Sequence, residues 1–172
     1  TFRMSFRIFS HLKVMWKPYN NDKAPEVDGF SIGTHPDGSH IYVGRGADEY
    51  QYEFGPGRIS VVDPIGFFYL DFHQETEVKS GAEYMSVSRN CKCDFITSNG
   101  ENVPYAVAIY NKYKYHYWWI GRAFYTKDQF GDRVLFAKIR PEKQEMWYAE
   151  PDGSTTFAQT PYDVLSCTPP NG

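Results

Sequence analysis

The first sixteen residues alternate almost strictly between apolar and polar positions. Phe2, Met4, Phe6, Ile8, Leu12, Val14 and Trp16 share one parity, and Arg3, Ser5, Arg7, His11 and Lys13 the other. A period of two predicts a half-buried strand, or a hairpin broken near Ser10–His11. Residues 17–29 are polar and carry Pro18, Pro25 and Asp28–Gly29, which predicts a loop. Short apolar runs at Phe30–Gly33 and Ile41–Val43 flank Pro36–Asp37–Gly38, and this is the grammar of a hairpin. Gly55–Pro56–Gly57 breaks the chain again. Strands are expected at Arg58–Val62, Gly66–Phe72 and Glu83–Ser88, the first two separated by Asp63–Pro64. No segment has a helical period, so the predicted fold is all-β, a sandwich or barrel of antiparallel strands.

The pattern then begins again. Ala24–Pro25 finds Val103–Pro104, and the run IYVGRG at 41–46 finds WWIGRA at 118–123, 77 residues later. FGPGR at 54–58 finds QFGDR at 129–133, and YMSV at 84–87 finds YDVL at 162–165. Recurrence at offsets of 75 to 79, with the drift explained by small insertions and deletions in loops, marks a duplicated structural unit that cannot bury its own apolar face. The chain therefore divides into an N-terminal strand extension (1–15), a first repeat (16–88), a linker (89–94), a second repeat (95–166) and a short tail (167–172). The two repeats are expected to pack on one another with pseudo-twofold symmetry.

Composition sharpens this picture. Of 172 residues 18% are aromatic (Tyr 14, Phe 13, Trp 4), residues that suit a pleated surface. A formal charge of −3 leaves no basic excess to neutralise phosphates, which disfavours nucleic acid as a partner. No apolar run approaches the roughly 20 residues of a membrane span. The three cysteines leave two readings open: a bridge from Cys91 or Cys93 to Cys167, or three free thiols.

Several of these segments resemble one family. The run Gly33–Arg45, the step Pro56-Gly57-Arg58, the closing Glu83–Val87, and Trp16-x-Pro18-Tyr19 are similar to the DM-9 repeat of insects and molluscs, usually found in tandem pairs. WWIGRA and YDVL anchor the second copy. The resemblance covers nearly the whole chain after residue 15. It implies an all-β tandem fold and a calcium-independent lectin, with an acidic residue early in the repeat and a lysine after Pro-Gly holding the sugar hydroxyls, as in the mannose-binding lectins of oyster. Other insect members are salivary, gut or immune-associated. An extracellular location follows from family habit, with a cytoplasmic one as the alternative.

Carried over position by position, the acidic site falls on His35 and the lysine on Arg58. In the second copy they fall on Lys112 and Arg133. A carboxylate accepts from two vicinal hydroxyls while a cation donates back. His35 accepts less strongly, and an arginine fork fixes a different geometry from an ammonium. This pairing favours an anionic ligand over simple mannose. Asp37 is a replacement acid or, preferably, a turn residue. Arg45 and Arg122 recur at one place in both copies and are expected to brace the repeat against a carboxylate such as Glu75. The run Tyr110–Trp119 interleaves Lys112, Lys114 and His116 with aromatics. Tyr115 and Tyr117 on one face could stack on sugar rings, or be ordinary core and surface.

No cofactor or metal is expected, since the five histidines lack metal spacing and no catalytic fingerprint occurs. The chain is read as a non-enzymatic, lectin-like recognition protein with a glycan or other small-molecule partner. Two alternatives stand beside it. One is an interaction or structural protein that kept the fold, lost the sugar site and forms a homodimer. The other is a carrier of a small aromatic or apolar ligand.

Overall fold

The computed structural model describes residues 14–19, 28–34, 37–47, 54–60, 66–69, 75–78, 81–88, 90–111, 116–125, 133–149 and 154–170. Two antiparallel sheets of seven strands account for almost all of them. Sheet one contains β1 (Val14–Pro18), β2 (Ser31–Thr34), β3 (His40–Ala47), β4 (Phe54–Ser60), β5 (Gly66–Tyr69), β6 (Glu75–Val78) and β7 (Glu83–Val87). Sheet two contains β8 (Lys92–Ser98), β9 (Ala108–Asn111), β10 (His116–Tyr125), β11 (Arg133–Arg140), β12 (Glu145–Ala149), β13 (Thr155–Gln159) and β14 (Tyr162–Thr168). The one helical turn among the described residues is the 3-10 segment Pro141–Lys143. The all-β expectation holds. Of the N-terminal alternation only Val14, Met15 and Trp16 are described, and they lie on β1; β8 begins inside the stretch read as a linker.

The sheets have the same strand order. Sheet one runs β1-β7-β3-β4-β5-β6 with β2 on β3, and sheet two runs β8-β14-β10-β11-β12-β13 with β9 on β10. The correspondence extends to register. Gly44 pairs with Gly57 and Tyr84, and Gly121 with Ala137 and Val164. Three backbone bonds outside the ladders repeat too. Phe30, Val43 and Val87 donate to Met85, Phe30 and Asp28, as Val107, Ile120 and Cys167 donate to Leu165, Val107 and Tyr105.

These pairings fix equivalences that short motifs misplace. Gly44 corresponds to Gly121, as IYVGRG and WWIGRA suggest, an offset of 77. Beyond the β3–β4 and β10–β11 connections the offset is 80, because Gly57 corresponds to Ala137. The FGPGR and QFGDR match is therefore out of register. So is the YMSV and YDVL match: Glu83 corresponds to Asp163 and Tyr84 to Val164, two residues later than the motif places them.

Each sheet buries both faces in its middle. On one face, Tyr42, Ile59 and Ala82 pack together in sheet one, and Trp119, Ala137, Ile139, Tyr162 and Val164 in sheet two. On the other, the sheets share a layer: Val43 and Met85 from the first meet Ile120, Phe136, Leu165 and Cys167 from the second. Each such aliphatic side chain contributes roughly 1.5–3 kcal/mol on burial. Residues of both sheets thus contribute to one apolar layer. Cys93 and Cys167 stand directly opposite each other on β8 and β14 and form a disulfide at its edge. Cys91 is free.

Candidate functional site

The recurring arginines are braces. Arg45 Nε donates to Glu83 Oε2 at 2.5 Å, and its guanidinium lies 4.7 Å from the centre of the Trp16 ring. Arg122 Nε donates to Asp163 Oδ2 at 2.8 Å, between Phe95 at 4.5 Å and Phe124 at 5.1 Å. Register explains the match: each arginine is the Cα partner of its acid on the neighbouring strand, and each acid adjoins a strand that presents Trp16 or Phe95 beside it. The partner of Arg45 is thus Glu83 rather than Glu75, because Glu83 lies opposite it in the ladder. The signal was present in the sequence as an acid near the start of each closing strand, Glu83 first in β7 and Asp163 second in β14. Thr97 Oγ1 also donates to Asp163, at 2.7 Å. Burial pushes the Asp163 carboxyl up, but the bonds from Thr97 and Arg122 outweigh it and leave it below the ordinary carboxylate range.

A second polar cluster belongs to sheet one alone. Lys17 Nζ pairs with Asp28 Oδ2, Ser86 Oγ donates to the same oxygen at 2.7 Å, and Tyr84 OH donates to Oδ1 at 3.0 Å. The hydrogen bond from Lys17, aided by those from Ser86 and Tyr84, holds Asp28 below its usual value against the effect of burial. Burial and the bond to Asp28 raise Tyr84. In sheet two the corresponding residues are Ile96, Tyr105 and Val164, and Ser166 Oγ donates instead to the Pro104 carbonyl at 2.7 Å.

A pH dependence follows from these two carboxylates. Their pKa values are lower folded than unfolded, so the unfolded chain takes up protons first as pH falls. The stability they add is present above the unfolded value of roughly 3.9 and is lost as pH drops through their folded values. Urea unfolding between pH 7 and pH 3 is expected to show a plateau and then an acid decline, reduced in Asp28→Asn/Asp163→Asn. An unchanged decline in that double variant would assign the acid sensitivity to other groups.

The third constellation is cationic and aromatic. Arg58 on β4 is the Cα partner of Val43, and Lys138 on β11 is the partner of Ile120. Both cations therefore stand on the faces that meet in the shared layer, and β4 packs against β11 there. Lys138, not Arg133, is the counterpart of Arg58; Arg133 opens β11 opposite Tyr125, one pair beyond the counterpart of the β3–β4 ladder. Lys138 is fully buried and Arg58 half-buried. The ammonium of Lys138 is 5.3 Å from the centre of the Trp118 ring and the guanidinium of Arg140 is 4.4 Å from it. Trp118 is itself buried, and its Nε1 has no hydrogen-bond acceptor. Trp118 lies inside the aromatic run singled out in the sequence. Lys138 and Arg140 fall in a strand pattern, RVLFAKIR, in which nothing flags a site.

The remaining expected site residues are dispersed. Asp37 is exposed and accepts from the Ser39 amide at 2.9 Å and hydroxyl at 2.7 Å, so it closes a turn. Tyr117 is half exposed on β10, opposite Tyr110. His35, Lys112 and Tyr115 lie outside the described residues. Among the described residues no group of three or more His, Cys, Asp or Glu side chains could hold a metal ion. No helix among them is long and apolar enough to cross a membrane. No protein-family model matches the chain, and no curated protein does.

Proposed function

We propose that the chain is a non-catalytic, lectin-like recognition module that binds a glycan without a metal ion, with Arg58 as its sugar-binding cation and the buried Lys138 as the counterpart of Arg58 in the second sheet. The observation behind this is their equivalence. Two sheets of the same strand order carry a long cation at the same ladder position, on the faces that meet. A pyranose ring offers hydroxyl oxygens to such donors, and Arg58 is the one of the two that is only half-buried. Arg58 is a position to which the DM-9 resemblance assigns a lysine. The disulfide Cys93–Cys167 favours an extracellular setting, because such bonds persist in oxidising compartments.

A glycan array probed with the wild type and Arg58→Ala tests the proposal. A charge-assisted hydrogen bond to a ligand is worth about 1.5–3 kcal/mol, so the variant is expected to lose at least about tenfold in affinity. No signal from any glycan at high protein concentration would end the lectin reading.

One feature favours a second reading, an interaction protein. Where sheet one has the pair Lys17–Asp28, sheet two has Ile96 and Tyr105, which are 43% and 42% exposed. Light scattering of a strict monomer at every concentration would count against it.

A further inference from the structure

We infer that Glu145, Trp147, Phe157 and Gln159 form a second sugar-binding site on the outer strands of sheet two, which takes a neutral pyranose ring; that the ligand is a sugar rests on the lectin reading above. One ladder places the four residues. Glu145 pairs with Gln159 and Trp147 with Phe157, and the two pairs are two residues apart, so all four side chains stand on one face. β13 ends the strand order of sheet two, and no strand of that sheet lies beyond Phe157. The place of this site is linked to the cation beside it. Trp147 is the Cα partner of Lys138, as Phe67 is the partner of Arg58. Sheet two buries its cation, whereas Arg58 is half-buried. The next strand outward differs as well: Phe157 stands where sheet one has Glu77. Sheet two thus withdraws a donor and adds an exposed ring.

The polar neighbours of that ring select a sugar over a purely apolar partner. Phe157 is 43% exposed and packs on the half-buried Trp147, with ring centres 4.9 Å apart and planes at 52°. An exposed ring held in this way stacks on the C–H face of a pyranose. The Glu145–Gln159 pair lies roughly 7 Å along the strands from the rings, comparable to the width of a pyranose with its hydroxyls. One oxygen of Glu145 accepts from Trp147 Nε1 at 3.5 Å. Glu145 makes no ion pair among the described residues, although Arg140 is its Cα partner; Arg140 pairs with Glu142 instead. Gln159 is exposed, and its amide makes no hydrogen bond among the described residues. A carboxylate accepts from two vicinal hydroxyls, and an amide both donates and accepts. Such a pair suits a neutral polyol, and Glu145 repels an anionic one.

Titration of the isotope-labelled protein with mannotriose, cellotriose and an oligogalacturonate tests this, read at the indole N–H resonance of Trp147, which Trp147→Phe identifies by its loss. A neutral trisaccharide is expected to shift that resonance with an affinity insensitive to salt, and the oligogalacturonate to bind more weakly. Phe157→Ala and Glu145→Gln are each expected to lose about tenfold in affinity, and Arg58→Ala to leave the titration of this resonance unchanged. Retained thermal unfolding midpoints show that the variants fold. Trisaccharide binding that weakens in Arg58→Ala alone would overturn the second site and leave the lectin reading intact. No shift of the resonance with any of the three probes would also overturn it, and array binding abolished by Arg58→Ala would still uphold the first site. A higher-mass species in light scattering that Phe157→Ala returns to monomer would give the ring to a second copy of the chain and overturn the sugar site.

Discussion

Reduction of the Cys93–Cys167 disulfide is expected to lower the stability of the folded chain by about 4 kcal/mol, from the loop-closure entropy of its 74-residue separation. The loss corresponds to a fall of about 10 °C in the thermal midpoint for a chain of this length. The effect is large because of what the bond joins. It ties β8, at one end of sheet two, to β14, and the two cysteines close a ring containing most of that sheet. Cys167 is buried in the layer shared by the two sheets, among Val43, Met85 and Leu165. Freeing β8 therefore loosens the contact between the sheets as well as the edge of one. Urea unfolding with and without a strong reductant measures the difference, and Cys93→Ala in the absence of reductant should reproduce it. Cys91→Ala should leave the midpoint unchanged. Equal stability of the oxidised and reduced protein would show that the denatured chain gains nothing from opening the ring.

The choice of cysteine partner shows where sequence reading stops. Cys91 and Cys93 were equivalent candidates for Cys167, since both are close in sequence and both follow the first repeat. Register separates them: β8 starts at Lys92, and only Cys93 falls opposite Cys167. The same limit applies to the basic site. Gly-Asp-Arg at 131–133 looks like Pro-Gly-Arg at 56–58, but the chain between the equivalent ladder pairs Phe124–Val134 and Ala47–Phe54 is three residues longer in the second sheet. A local motif carries no count of the loop before it. The ladder does, and it points to Lys138 through Phe136–Ala137, a pair with no turn character. By contrast, IYVGRG and WWIGRA were readable because three constraints fall on adjacent residues: a buried strand, a glycine in close contact and an arginine paired across the ladder. The Trp118 cluster lay half in view, since the aromatic run was conspicuous but the cations facing it come from another strand.

Substitution of Gly121 by alanine is expected to destabilise the fold by about 2–3 kcal/mol, at the upper end for overpacking a core by one methyl group. The glycine is required by proximity. A Cβ there would stand 2.6 Å from Ile139 Cδ1, 2.9 Å from Ile139 Cγ1 and 3.1 Å from the Asp163 carbonyl oxygen. Rotation of the isoleucine could move Cδ1, but Ile139 is fully buried and its own neighbours oppose the movement. The carbonyl belongs to β14 and is fixed by the pairing of Gly121 with Val164. Gly44 meets the same surroundings: Ile59 Cδ1 at 2.6 Å, Ile59 Cγ1 at 2.8 Å and the Glu83 carbonyl oxygen at 3.2 Å. Gly44→Ala should therefore cost a similar amount. Ile139→Val removes Cδ1 and alone costs about 0.5–1.5 kcal/mol. Combined with Gly121→Ala it should relieve part of the clash, so the double variant loses less than the sum of the two single losses. Denaturant unfolding of the four proteins in that cycle reads the coupling directly. Strict additivity, or a Gly121→Ala protein as stable as the wild type, would mean that β14 can draw away from β10 at little cost. The shared spacing of Gly44 and Gly121 would then be no constraint on either sheet.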